Sequence, residues 1–200
     1  MADGVAVGMA SRKRQWLAGV ALMLGASLGL PQGPAPSVEL TAVQRATVHW
    51  QAGYLLHALG NYEAAIESFR ASIAAQPTAE AHTFLGWSLS HLGRIDEAIA
   101  QCKIAIEVDP DFGNPYNDIG VYLIDLGRLA EAVPWLQKAI AAKRYCCYQF
   151  PHYNLGRVLL GQGRVEDARR SFERALDIDP EYLPALFELL QLQQRGLKGL

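Results

Sequence analysis

Four stretches of this chain can be laid over one another: "HWQAGYLLHALGNYEAAIESFRASIAAQP", "HTFLGWSLSHLGRIDEAIAQCKIAIEVDP", "YNDIGVYLIDLGRLAEAVPWLQKAIAAKR" and "HYNLGRVLLGQGRVEDARRSFERALDIDP". An internal repeat constrains the fold more than any single motif, because every copy must fold alike and can bury its apolar face only against its neighbours. One glycine recurs at Gly53, Gly86, Gly120 and Gly156, with spacings of 33, 34 and 36 residues. A second recurs at Gly60, Gly93, Gly127 and Gly163, and an alanine at Ala65, Ala98, Ala132 and Ala168. A proline closes three copies, at Pro77, Pro110 and Pro180, while the third copy has Arg144 instead.

Each fixed residue has a physical task. A glycine inside a helix costs about 1 kcal/mol against alanine, so the first glycine is expected where a second helix must come close to the backbone. The second glycine supplies the left-handed residue that ends a helix. The alanine meets the same crossing from the other side, and the closing "VDP" and "IDP" stop the second helix, since proline disfavours a helical residue before it. Two helices per copy would satisfy all of these tasks.

The pattern resembles the tetratricopeptide repeat family over residues 46 to about 182. The resemblance implies an all-α fold, a right-handed superhelical stack of antiparallel helix pairs, with repeats at about 46–78, 79–112, 113–148 and 149–182. Beyond them, "YLPALFELLQLQQ" keeps Leu183, Leu186, Phe187 and Leu190 at helical spacing. It reads as a capping helix over 183–195 that lays these four residues on the last repeat's apolar face.

Residues 1–30 read as a targeting element. "SRKRQW" supplies positive charge and "WLAGVALMLGASLGL" fifteen uncharged, mostly apolar residues, fewer than the roughly 20 of a full membrane span. A signal peptide and a short N-terminal membrane anchor both fit, and both send the rest of the chain across the membrane. The protein is expected to be exported, either periplasmic or anchored in the inner membrane through residues 16–30 with its repeats facing the periplasm. "PQGPAPS", residues 31–37, is a Pro-rich linker that cannot continue a helix, and the array follows over 38–200.

Composition narrows the function. The chain is 50% hydrophobic and 19% charged, enough apolar material for a sizeable core. Its net charge is −2, and beyond residue 36 acids outnumber bases nineteen to fifteen, so nucleic acid is not an expected partner. No P-loop, G-x-S-x-G or H-E-x-x-H is present, and no catalytic, cofactor or metal residues are assigned.

"YCCYQFPHYNLG", residues 145–156, puts Cys146 and Cys147 ahead of His152. His152 falls in register with His49, His82 and Tyr116, a packing place. The cysteines fall in the longest spacing and lack the C-x2-4-C pairs of structural zinc sites. They are left as free thiols, as a disulfide with each other, or as partners for another chain, and thiol-redox or metal handling through them is the alternative function. Cys102 takes the second-helix place of Phe69, Leu136 and Phe172 and is expected to be a buried small hydrophobe.

The family resemblance implies a concave surface, lined by the first helix of each pair, that binds a peptide or helix of a partner protein. Its places fall at Trp50, Gln51, Tyr54 and His57 in the first repeat, and at Thr83, Phe84, Trp87 and His91 in the second. The third contributes Asn117, Asp118, Val121 and Asp125, and the fourth Tyr153, Asn154 and Arg157. Rings supply contact area, and carboxamides can bond a peptide backbone. Trp87 and Tyr153 are read as facing the partner. The places that clamp a chaperone tail's carboxylate in relatives fall at Trp50, Tyr54, Phe84, Asn114 and Asp118, which do not suit an anion. The expected function is an interaction scaffold or assembly factor of the cell envelope, with self-association through the groove or an uncapped end as a lesser mode.

Overall fold

The computed structural model describes residues 39–198, and among these the regular structure is helical, with one isolated bridge joining Phe112 and Arg144. The helices are α1 (Ala42–Ala58), α2 (Tyr62–Ala75), α3 (Ala79–His91), α4 (Ile95–Val108), α5 (Asn114–Asp125), α6 (Leu129–Ala141), α7 (Gln149–Gly161), α8 (Val165–Ile178) and α9 (Leu183–Lys198). Consecutive helices pack as four pairs, each resting on the next, and α9 closes the stack on α8. The result is the all-α superhelix implied by the repeat. The targeting element and the Pro-rich linker lie outside the described residues. No helix among the described residues is long and apolar enough to cross a membrane.

The array starts a little ahead of the first repeat's expected boundary at 46. Thr41 caps α1, its side chain accepting from the Gln44 N–H while the Gln44 side chain accepts from the Thr41 N–H. This reciprocal pair satisfies two amides that a helix start leaves free.

The two sets of glycines do what their positions require. Gly60, Gly93, Gly127 and Gly163 all have φ between +72° and +76°, the left-handed region where a side chain is penalised. Each turn returns amides to the ending helix, as when Asn61 N–H donates to the Leu56 carbonyl. The first glycines sit under a side chain of the second helix. A Cβ on Gly53 would lie 2.8 Å from the Phe69 ring, and one on Gly120 would lie 2.5 Å from Leu136 Cδ2. A Cβ on Gly86 would lie 3.1 Å from the Ala98 carbonyl oxygen and 3.3 Å from Cys102 Sγ. Phe69, Cys102, Leu136 and Phe172 are fully buried, as are Ala65, Ala98, Ala132 and Ala168. Burying each large apolar side chain contributes roughly 1.5–3 kcal/mol, so this repeated crossing stabilises every pair.

The joint between the third and fourth repeats is built differently. In place of a closing proline, Arg144 bonds by its backbone to the preceding joint. Its N–H donates to the Asp111 carbonyl at 2.9 Å, and its own carbonyl accepts from the Gly113 N–H at 3.0 Å. Its guanidinium pairs with Asp109 at 2.6 Å and Glu80 at 2.7 Å, and stands 4.0 Å from the centre of the Phe112 ring. Tyr145 is buried against Gly113, where an added Cβ would lie 2.7 Å from its side chain. One arginine thus ties the third joint to the second and to the start of α3.

The capping helix forms, but on a different face from the one expected. Ala185 and Leu192 are buried, and Leu189 packs beside them against the α8 core. Leu183, Leu186, Phe187 and Leu190 remain exposed, Leu183 by 71% and Phe187 by 62%. Two apolar stripes run side by side along α9, and helical spacing fits both. The small Ala185 permits the closer approach.

Candidate protein-binding groove

The first helices α1, α3, α5 and α7 neighbour one another along the inner, concave side of the stack. Their residues two places before the first glycine are Gln51, Phe84, Asp118 and Asn154, one row across the groove. The chemistry changes along that row.

The first half is aromatic. Trp50 and Tyr54 stack at 5.6 Å, and both meet Phe84 edge-on at 5.4 and 5.5 Å. Phe84 lies 5.5 Å from Trp87, which stacks on His57 at 5.1 Å. His57 meets His91 at 5.2 Å, and His91 stacks on Tyr62 at 4.4 Å. Tyr54 is 49% and Trp87 43% exposed, while Trp50, His57 and Phe84 are half-buried. Contacts between rings fix their angles, leaving a rigid apolar surface that loses little entropy on binding.

Tyr62 was not foreseen in this group, since it opens a second helix, and only its place right after the Asn61 cap hinted that it could reach inward. His57 is held by Ser88. The Ser88 hydroxyl donates to the Phe84 carbonyl at 3.1 Å and lies 3.0 Å from His57 Nδ1, an arrangement that suits a proton on Nδ1. Burial, then the neighbouring His91, lowers the His57 pKa, so the ring is neutral at pH 7.

The second half is polar. Asn154 Nδ2 donates to Asn117 Oδ1 at 3.0 Å, and Arg157 donates to Asn154 Oδ1 at 3.4 Å. Arg157 also lies 3.9 Å from Asp125. The Asn117 amide reaches Asp118 Oδ1 at 3.5 Å. Asp118 keeps a partial opening to the groove yet is ringed by protein, and this burial pushes its pKa up to about 7, the Asn117 amide opposing the shift. Beside it, the Tyr122 hydroxyl is buried with no geometric hydrogen-bond partner among the described residues.

Several expected groove residues turn out to be engaged in the fold. Thr83 is buried and donates to the Ala79 carbonyl at 2.7 Å. Asn117 and Asn154 are buried and bonded to each other rather than presented to a partner. Tyr153, read as partner-facing, is half-buried, with its ring 5.7 Å from Phe172 and 5.4 Å from Tyr182. Its neighbours on α8 and before α9 were not visible from the repeat register alone. Tyr54, Trp87, His91 and Asp125 are exposed, and Val121 and Arg157 half-buried.

At the rim between α1 and the start of α3 lies a cleft of about 350 Å³ lined in part by Val43, Thr47, Trp50, Ser72 and Glu80. Trp50 Nε1 is buried with no acceptor among the described residues.

Cys146 and Cys147 form a disulfide with each other. Cys102 is a buried free thiol with its pKa raised by burial. His152 is half-buried, and burial followed by Arg174 lowers its pKa. Among the described residues no group of three or more His, Cys, Asp or Glu side chains is placed to hold a metal ion.

A stack of helix pairs with a mixed aromatic and polar inner face defines a helical-repeat scaffold. The chain belongs to the tetratricopeptide repeat family, whose models match residues 51–111, 86–145 and 150–182. It is 30% identical over 101 residues to DnaJ homolog subfamily C member 3 of Mus musculus, covering 50% of this chain and 20% of that protein. It is 23% identical over 157 residues to the TPR repeat-containing protein YpiA of Bacillus subtilis (strain 168), covering 78% of this chain and 37% of that one. The chain thus spans about a fifth to a third of the length of these relatives. Among solved structures, Pseudomonas aeruginosa PilF aligns with a TM-score of 0.74 at 22% identity, covering 78% of this chain and 71% of that one. PilW, described as a widely conserved type IV pilus biogenesis factor, aligns with a TM-score of 0.69 at 24% identity, covering 76% and 70%. Fold and family support a protein-interaction scaffold.

Proposed function

We propose that this protein is an interaction scaffold or assembly factor of the cell envelope that binds a peptide or helix of a partner protein in its concave groove. The observation that carries the reading is the exposed surface of Tyr54 and Trp87 on the ring cluster Trp50–Phe84–His57–His91. Rigid, half-desolvated rings of this kind make hot spots when a partner covers them. Two further observations support the envelope setting: the basic and apolar N-terminal segment, and the fold shared with a pilus biogenesis factor. The protein YrrB, described as having an unusual peptide-binding site, shares the fold with a TM-score of 0.58 and supports a peptide ligand. Exchange of the Cys146–Cys147 disulfide with a partner's thiols is the second reading, favoured by the exposure of Cys146.

The test is photo-crosslinking in cells from a reactive residue at position 87, with mass spectrometry of the adduct and fractionation of the envelope. One envelope protein, lost when Tyr54 is replaced by alanine, is the expected result. An adduct confined to cytoplasmic proteins would overturn the envelope setting. Loss of function in Cys146→Ser/Cys147→Ser with an unchanged adduct would favour the disulfide reading.

A further inference from the structure

Asp118 stands in the groove row between Phe84 and Asn154, and among the described residues its hydrogen-bond donor is the Asn117 amide at 3.5 Å. That distance is at the limit of a hydrogen bond. Arg157, the cation on the neighbouring first helix, is turned to Asn154 and Asp125 instead. A half-buried carboxylate in this setting keeps only part of its water and gains no cation among the described residues, which disfavours its charged form. A hydrophobic or amide side chain in its place would serve the fold better. An ionisable group so placed on the inner face is a candidate recognition point.

We infer that Asp118 receives the guanidinium or ammonium of an arginine or lysine in an extended peptide whose apolar or aromatic side chain rests on Trp87 and Tyr54. The inference rests on the groove reading above and adds the chemistry of the ligand. Neighbouring helices pack about 8–10 Å apart and an extended chain advances about 3.3 Å per residue. The step from the α3 rings to Asp118 therefore corresponds to about three residues. Asp125 is offset by Arg157 at 3.9 Å, so Asp118 is the carboxylate left without a cation there among the described residues. The elevated pKa of Asp118 fits a carboxylate that lacks the cation it is built to receive.

The test is selection of a displayed random dodecapeptide library on the full chain and on two variants, Asp118→Asn and Trp87→Ala. The expected result is enrichment of arginine or lysine about three positions from an aromatic or aliphatic residue. In Asp118→Asn the basic preference disappears and the apolar one remains. Calorimetry with a selected peptide then compares arginine with citrulline, its neutral analogue. The exchange is expected to weaken binding to the wild type about tenfold or more and to Asp118→Asn hardly at all. Apolar enrichment with no basic preference, or a basic preference unchanged in Asp118→Asn, overturns the cation inference and leaves the groove reading standing. Recovery of no peptides, or peptides indifferent to Trp87→Ala, overturns both.

Discussion

The guanidinium of Arg144 lies 2.6 Å from the carboxylate of Asp109, so a residue of the third joint holds the residue that ends α4. With Glu80 and the Phe112 ring it forms a network spanning the second and third repeats. Isolated surface pairs contribute little, but a network with a ring face is worth more. Arg144→Ala is expected to lower stability by about 1 kcal/mol in urea unfolding, with a smaller loss in 1 M salt. Arg144→Lys recovers only part, since lysine lacks the planar fork. An effect that does not change with salt would count against the network.

Gly120 is expected to resist alanine. The substitution gains about 1 kcal/mol of helix propensity, but the new Cβ would lie 2.5 Å from Leu136 Cδ2. Forced repacking costs about 1–3 kcal/mol, and a net loss is expected in thermal unfolding. A raised melting temperature would show that α5 and α6 can separate without penalty.

Asp118→Asn should stabilise the protein, in a pH-dependent way. The folded-state pKa of about 7 lies above the 3.8 expected when unfolded, so the folded state holds this proton more tightly. Stability from this group is therefore greatest below about pH 4 and is lost as pH rises through 7. The groups coupled to it, Cys102 from α4, Tyr122 on α5 and Tyr145 from the third joint, have raised pKa values and stay neutral over that range. The variant should exceed the wild type by a few kcal/mol at pH 8, with the gap closing toward pH 4. A gap constant with pH would show that Asp118 ionises freely.

Trp87 and Tyr153 should separate binding from folding. Trp87→Ala removes an exposed ring and is expected to change stability by less than about 1 kcal/mol while weakening partner binding about tenfold or more. Tyr153→Ala removes a ring packed on Phe172 and Tyr182 and should cost about 2 kcal/mol of stability. Chemical denaturation and a binding titration on both variants decide it, and the opposite pattern would return Tyr153 to the partner-facing set.

Reduction of the Cys146–Cys147 disulfide is expected to leave the fold nearly as stable. A cross-link between adjacent residues closes almost no loop, so it constrains the unfolded chain little. Unfolding with and without reductant should agree within about 0.5 kcal/mol. A large drop would mean that the dithiol form disturbs Tyr145 and its seat on Gly113.

The repeat made the fold legible because glycine, alanine and proline recur where backbone geometry leaves few alternatives. Gly93 had to end a helix, and Ala98 had to face Gly86. The groove was legible as a set of positions but not as contacts. Register places Asn117 and Asn154 on the inner face, yet only three-dimensional packing shows them bonded to each other. Register likewise places Tyr153 on the inner face, while its ring contacts with Phe172 on α8 and Tyr182 before α9 emerge only from the packing. The α9 stripe was misjudged because two adjacent stripes share one periodicity, and the choice between them rests on the small volume of Ala185.

Each helix pair rests mainly on its immediate neighbours, while the ring cluster belongs to the first two pairs and the amide–carboxylate ladder to the last two. On the proposed reading, recognition is divided along the chain in separable parts. Exchanging the pair α5/α6 for one with a different residue at position 118 would retune the charge preference while leaving the apolar anchor in place, a modular route by which such arrays acquire new partners.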